Sequence, residues 1–398
     1  MYVTRPLSQL LRSPEILTAH PSSDGPNSGY LLIQDDKSET YSCFGCCQNK
    51  TLKKLPFPQN KELVVQYMTH NGQYQNVDHD AVFLIPLLNH SLSSNRYYAI
   101  VPHKGEAFTC SREEDMTPCC FFRCVKDVKP KPLDPHNVYQ QFEIARFKSL
   151  CAPMHSFIAN PLASDGFPPN FLRREGWTVY TKIPRNFKLD IANGLDSKLR
   201  ARLPVFDFSL SQRSSKRFIV GKWYSPFVFV KEGSLSDQVA RSMYYEVTLE
   251  QRWEKIFACR NNSNDIRVTV DVVLENEEVF VGGSKAVWDE KSVVDGVIWF
   301  KSDGCGGGET SVGLRVEIVE RMKWEQARGG WDGGDERRSG INKVEEYKEG
   351  GRWNEFGCYA LVERFNFKRM DESLVMSCDF KHFHKLKSKW EYMKIDTS

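Results

Sequence analysis

The spacing of apolar residues constrains this chain more than any other feature. "IRVTVDVVL", "EEVFVGG", "VVDGVIWFKS", "FGCYALVERFNFKRM" and "SLVMSCDFKHFHKLK" are short runs, several of which alternate apolar with polar residues. Alternation places one set of side chains on a dry face and the other in water, as a half-buried antiparallel strand requires. In the N-terminal part, "GYLLIQDD", "ELVVQYM" and "AVFLIPLL" are separated by clusters of Asn, Gly and Pro, the punctuation of strands joined by turns. Nine Trp, 15 Tyr and 25 Phe add weight, because aromatic residues favour pleated surfaces. The expected fold class is α+β and strongly β-biased, with two antiparallel β-rich lobes and a few short helices.

At 398 residues the chain can hold two or three domains. A Pro- and Ser-rich stretch without periodicity marks a junction at residues 156–174. It divides a Cys-rich β-sheet domain, 1–155, from a larger antiparallel β domain, 175–398. Three helices are expected. One follows the N-cap Asp134 and Pro135, with Val138, Phe142 and Ala145 at helical spacing. A short one lies in "SLSDQVARSM". The clearest spans 248–259, where Thr248 and Gln251 form a capping box and Leu249, Trp253, Ile256 and Phe257 line one face. "VGLRVEIVERMKW" reads as a strand, "DGCGGGET" as a hairpin tip, and 327–352 as a mobile, charged, Gly-rich loop.

The opening "MYVTRPLSQLLRSPEILTAHP" lacks the apolar run of a secretion signal, so the expected location is cytoplasmic or nucleocytoplasmic. No run of about 18 apolar residues provides a transmembrane helix. A net charge of +3 gives no ground for a nucleic-acid partner. The chain has no G-x-S-x-G elbow, no H-E-x-x-H, no phosphate-binding Walker loop and no G-x-G-x-x-G between a strand and a helix. A non-enzymatic role is therefore expected.

The blocks "GPNSGYLLIQDD", "HKGEAFTCSREED", "DGFPPNFLRREGWTVY", "VGKWYSPFVFVKE", "SMYYEVTLEQRWE" and "FGCYALVERF" occur in this order. Together they resemble the plant family of uncharacterised proteins named for domain of unknown function 1262. The resemblance runs from Met1 to about Glu391. It implies a plant protein built as one unit, with no established activity, cofactor or catalytic residues to carry over. The role expected from it is an interaction or scaffold protein of the plant cytosol, in stress or defence.

Twelve cysteines in a reducing compartment are thiols rather than disulfides. Cys43 and Cys46, with Cys47 beside them, form one knuckle; Cys120 and Cys124, with Cys119, form another. Cys43, Cys46, Cys120 and Cys124 would make a four-thiolate structural zinc site if the knuckles met. Redox sensing, S-acylation and plain buried thiols remain open for the same residues. Acylation would need a second membrane signal. The basic-aromatic C-terminal segment could supply it to an anionic membrane surface through Lys385, Lys387, Lys389 and Trp390. His382 and His384 would share a strand face and could hold a metal. His103, Lys104, Glu106 and Cys110 offer a Cys-His pair. Trp223, Tyr224 and Phe227 are candidates for contact with an unknown protein partner.

Overall fold

The computed structural model describes residues 1–19, 24–42, 47–71, 74–119, 122–150, 153–262, 265–303, 309–333, 337–348 and 352–392. The architecture is strongly β-rich, in several sheets of mostly antiparallel strands. The alternating C-terminal runs become three long neighbours: β10 (Tyr244–Arg260), β16 (Trp353–Arg369) and β17 (Leu374–Tyr392). They lie at the centre of a nine-stranded sheet. On one side of them are β9 (Phe218–Pro226), β1 (Tyr2–Pro6) and β2 (Gly29–Ile33); on the other is β12 (Glu277–Val281). The pairs Gly194–Leu195 and Ser284–Lys285 complete it. Strands β1 and β2 run parallel to one another; the other pairings in this sheet are antiparallel.

A seven-stranded sheet is ordered β7 (Ser156–Pro161), β6 (Gln141–Phe147), β5 (Arg96–Ile100), β4 (Tyr74–Pro86), β3 (Glu62–Asn71), β8 (Thr178–Lys182) and Thr51–Leu52. This order corrects the expected partition. Strand β7 falls inside the supposed junction and pairs along its length with β6. Strand β8, beyond the junction, belongs with the N-terminal strands, whereas β1 and β2 enter the large sheet. One core accordingly joins Tyr2, Leu31 and Phe83 to Trp223, Tyr244 and Phe365.

Two helical expectations are corrected. Residues 248–259 lie in β10, paired along their length with β16. Leu249 and Trp253 do point to one side, but the alternate residues Glu250 and Arg252 are buried as well. Arg252 donates to Asp379 and to Glu254, both at 2.7 Å. A central strand covered on both faces loses its period of two, and the leftover apolar spacing imitates a helix. After Pro135 only one turn of 3-10 helix forms, at Val138–Gln140, before β6 begins. "SLSDQVARSM" does contain a helix, α2 (Leu235–Arg241), capped by Ser234.

"VGLRVEIVERMKW" divides into β14 (Glu309–Arg315) and helix α3 (Val316–Arg328). Ile318, Val319 and Met322 bury one flank of α3 in the main core, and Arg321 and Glu325 pair at 2.6 Å one turn apart. Strand β14 makes a hairpin with β13 (Val297–Asp303), whose tip lies outside the described residues. The supposed loop 327–352 is corrected too: it contains β15 (Arg338–Glu346), paired over nine positions with β11 (Arg267–Glu275). This ribbon buries Val270 and Ile341 against Phe356 and Cys358 of β16.

Candidate functional site

Most of the residues singled out for partners turn out to be structural. Trp223, Tyr224 and Phe227 are at most 1% exposed and lie in the main core, which corrects their reading as contact residues. Trp390 packs, tilted or edge-on, within a cluster of Tyr347, Trp353 and Phe356. Lys389 Nζ donates to Phe208 O at 2.5 Å, and Lys387 Nζ sits 4.9 Å over the Trp253 ring. The C-terminal lysines are therefore tied into the fold and do not form a solvated basic face.

Three of the four proposed zinc ligands, Cys43, Cys46 and Cys120, lie outside the described residues; Cys124 is exposed on the strand Phe122–Val125. Cys110 is buried, and burial pushes its thiol up to about 12, far from the thiolate a nucleophile needs.

Lys385 differs from its neighbours because of a break in register. Leu361 of β16 faces His382, but the next residue back, Ala360, faces Leu386. Phe383, His384 and Lys385 are thus looped out of the ladder, and a bulge re-aims the side chains it carries. His382 turns inward, fully buried; His384 turns out to solvent. The expected two-histidine face does not form. Lys385 is turned toward the end of α3, where its Nζ donates to Gly329 O at 2.6 Å.

Arg200 arrives at the same place from a short helix, α1 (Ser197–Ala201), whose first turn is capped by Asp196 at 2.9 Å. Its Nε donates to Glu363 Oε1 at 2.8 Å, its Nη2 to Glu363 Oε2, and its Nη1 to Glu325 O at 2.9 Å. The guanidinium lies so close to Gly329 that a Cβ there would meet Nη2 at 2.0 Å. Glu363 also has His382 Nε2 at 3.5 Å and accepts from Gln251 Nε2 at 2.7 Å. Burial alone would raise the Glu363 carboxyl, but the His382 imidazole and the Arg200 fork hold it down to about 2.

Beside this buried cluster opens a cleft of about 390 Å³ lined by Arg200, Gln251, Arg328, Lys385 and Ser197. Glu363 neutralises Arg200, and Glu325 serves Arg321 at 2.6 Å and Arg328 at 3.7 Å. Lys385 has no carboxylate within ion-pair distance among the described residues, and burial lowers its pKa. Gln251 is 1% exposed; its Nε2 is used by Glu363 and by Arg200 O, while its Oε1 accepts nothing among the described residues. A buried acceptor without a donor is costly, and so is a half-buried ammonium without a counter-ion. Arg200, Gln251 and Glu363 were missed from sequence. Glu363 left one trace, a carboxylate directly after the apolar run "FGCYALV".

Residues 24–121 match the model of a family described as a protein of unknown function, DUF1262. No curated protein sequence matches the chain. A solved structure described as the crystal structure of Cry35Ab1 aligns with a TM-score of 0.46 and 10% sequence identity. The alignment covers 84% of this chain and 90% of that one.

Proposed function

We propose that this chain, with its DUF1262 segment at residues 24–121, is a non-enzymatic binding protein whose cleft takes a small hydroxylated anion. The observation that carries the reading is that Lys385, Arg328 and Arg200 line one cleft with Gln251, whose buried carbonyl oxygen has no donor among the described residues. The cations favour a carboxylate or phosphate ester. The Gln251 oxygen favours a ligand that also bears an O–H donor.

Capping accounts for part of the arrangement, since Lys385 and Arg200 each donate to a carbonyl at the end of α3. Lys385 has two further N–H donors, and capping leaves the Gln251 oxygen unserved.

The test is calorimetric titration of the full chain with citrate, glycerol 3-phosphate and inorganic phosphate. A hydroxylated anion should bind more tightly than phosphate, and Lys385→Met should weaken it by about tenfold or more. Lys301→Met, on an exposed ion pair elsewhere, should leave binding unchanged. Equal binding by wild type and Lys385→Met, or no binding of any of the three anions, would show that the cations serve the fold alone.

A further inference from the structure

A second cleft, of about 420 Å³, opens beside the start of β12 and is independent of the anion cleft. Glu277, the first residue of β12, faces Phe380 of β17, and its side chain is 12% exposed. Lys323 reaches in from α3, with Nζ 2.6 Å from Glu290 Oε1 and 3.9 Å from Glu277 Oε2.

Two indoles complete the walls. Trp331 stands edge-on to Phe380 at 5.0 Å and donates to Asn276 O at 3.3 Å. Trp288 carries the Arg337 guanidinium 4.9 Å above its ring, and Arg337 Nη2 donates to Trp288 O at 3.0 Å.

The two carboxyls differ in character. Burial pushes Glu277 up to about 7, and Lys323 only partly opposes that. Burial also raises Glu290, but hydrogen bonds from Lys323 and Trp288 outweigh it and hold the carboxyl below its usual value. Glu277 accepts no hydrogen bond among the described residues, although it lines the cleft.

Asp289 and Lys291 also line the cleft, so among the described residues three acids stand against three bases and neither sign of charge dominates. A charged ligand gains little here. A neutral molecule with O–H donors for Glu277 and Glu290, acceptors for Lys323 and Arg337, and an apolar C–H face for Trp331 suits these walls. We propose that this cleft is a binding site for a neutral saccharide, with Trp331 as the apolar platform and Glu277 as the acceptor of a sugar hydroxyl.

The competing reading is a surface ion-pair cluster that binds nothing. The two are separated by titrating the full chain with maltotriose, cellotriose, xylotriose and chitotriose, followed by tryptophan fluorescence and calorimetry. One of the four should bind at millimolar concentration or below. Its affinity should fall about tenfold or more in Glu277→Gln and in Trp331→Ala, and should be unchanged in Lys385→Met. Trp331→Ala removes a core contact, so its fold is checked by circular dichroism; should it unfold, the nearly isosteric Glu277→Gln decides alone. If none of the four trisaccharides binds at about 10 mM, or Glu277→Gln binds as the wild type does, the proposal is overturned.

Discussion

Replacing Glu363 by Gln isolates the buried charge that holds Arg200 at the anion cleft while nearly keeping its shape. The carboxylate is fully buried, the Arg200 side chain is 9% exposed, and His382 and Gln251 share its oxygens. Gln keeps one acceptor for the guanidinium and the burial, but it leaves a buried Arg without a counter-charge. Removing one partner of a buried pair costs about 3–5 kcal/mol. Proton linkage gives a second estimate. Glu363 is held from 4.5 down to about 2, an interval worth about 3 kcal/mol of stability. Because the folded pKa lies below the unfolded one, this stability is complete above about pH 4.5 and is lost as pH falls toward 2. The assay is urea unfolding followed by tryptophan fluorescence at pH 7, 5 and 3. Wild type should exceed Glu363→Gln by about 3 kcal/mol at pH 7 with an unchanged slope, and the gap should narrow to about half or less by pH 3. A gap below about 1 kcal/mol at pH 7, or one that stays constant down to pH 3, refutes the account of Glu363 as the charge that holds Arg200.

Other substitutions test neighbouring parts of the argument. Gly329→Ala places a methyl group against a guanidinium that Glu363 holds fixed, so it should cost about 1–3 kcal/mol in urea unfolding, and less in the Glu363→Gln background. Trp223→Ala should cost about 3–5 kcal/mol, as for any large core truncation; near-neutral stability would return Trp223 to the surface. In site-resolved alkylation of the native chain near pH 8, Cys110 and Cys378 should label far more slowly than exposed Cys124, since burial raises both thiols. Equal labelling of the three in folded protein contradicts that burial.

The strands were legible because a half-buried strand writes a period of two into its sequence, as in "IRVTVDVVL", where Val268 and Val270 are buried and Thr269 and Asp271 are exposed. Legibility failed where both faces are covered. In β10 the residues of the second face are Glu250 and Arg252, polar in sequence but buried. The partner of Arg252, Asp379, is 127 positions away, a separation no local pattern records. Helix α3 failed for the opposite reason: the alternation of β14 runs on through Val316, Glu317 and Ile318, and the polar residues Glu317 and Arg321 are themselves buried. The aromatic residues around Trp223 could be counted but not located, since a core and an interface draw on the same residue types. The anion cleft lies beyond any such pattern, because Arg200, Gln251, Arg328 and Lys385 come from four separate elements. Lys385 shows how alternation misleads even where it predicts a strand. Strict alternation through "KHFHKLK" puts His382 with His384, and Lys385 with Lys387, but the bulge at residues 383–385 breaks that phase. It buries His382 against Glu363 and turns Lys385 toward Gly329. Whether Lys385 belongs to a solvated strand face or to a cleft is therefore decided by three unpaired residues, and a two-residue period cannot express such a break.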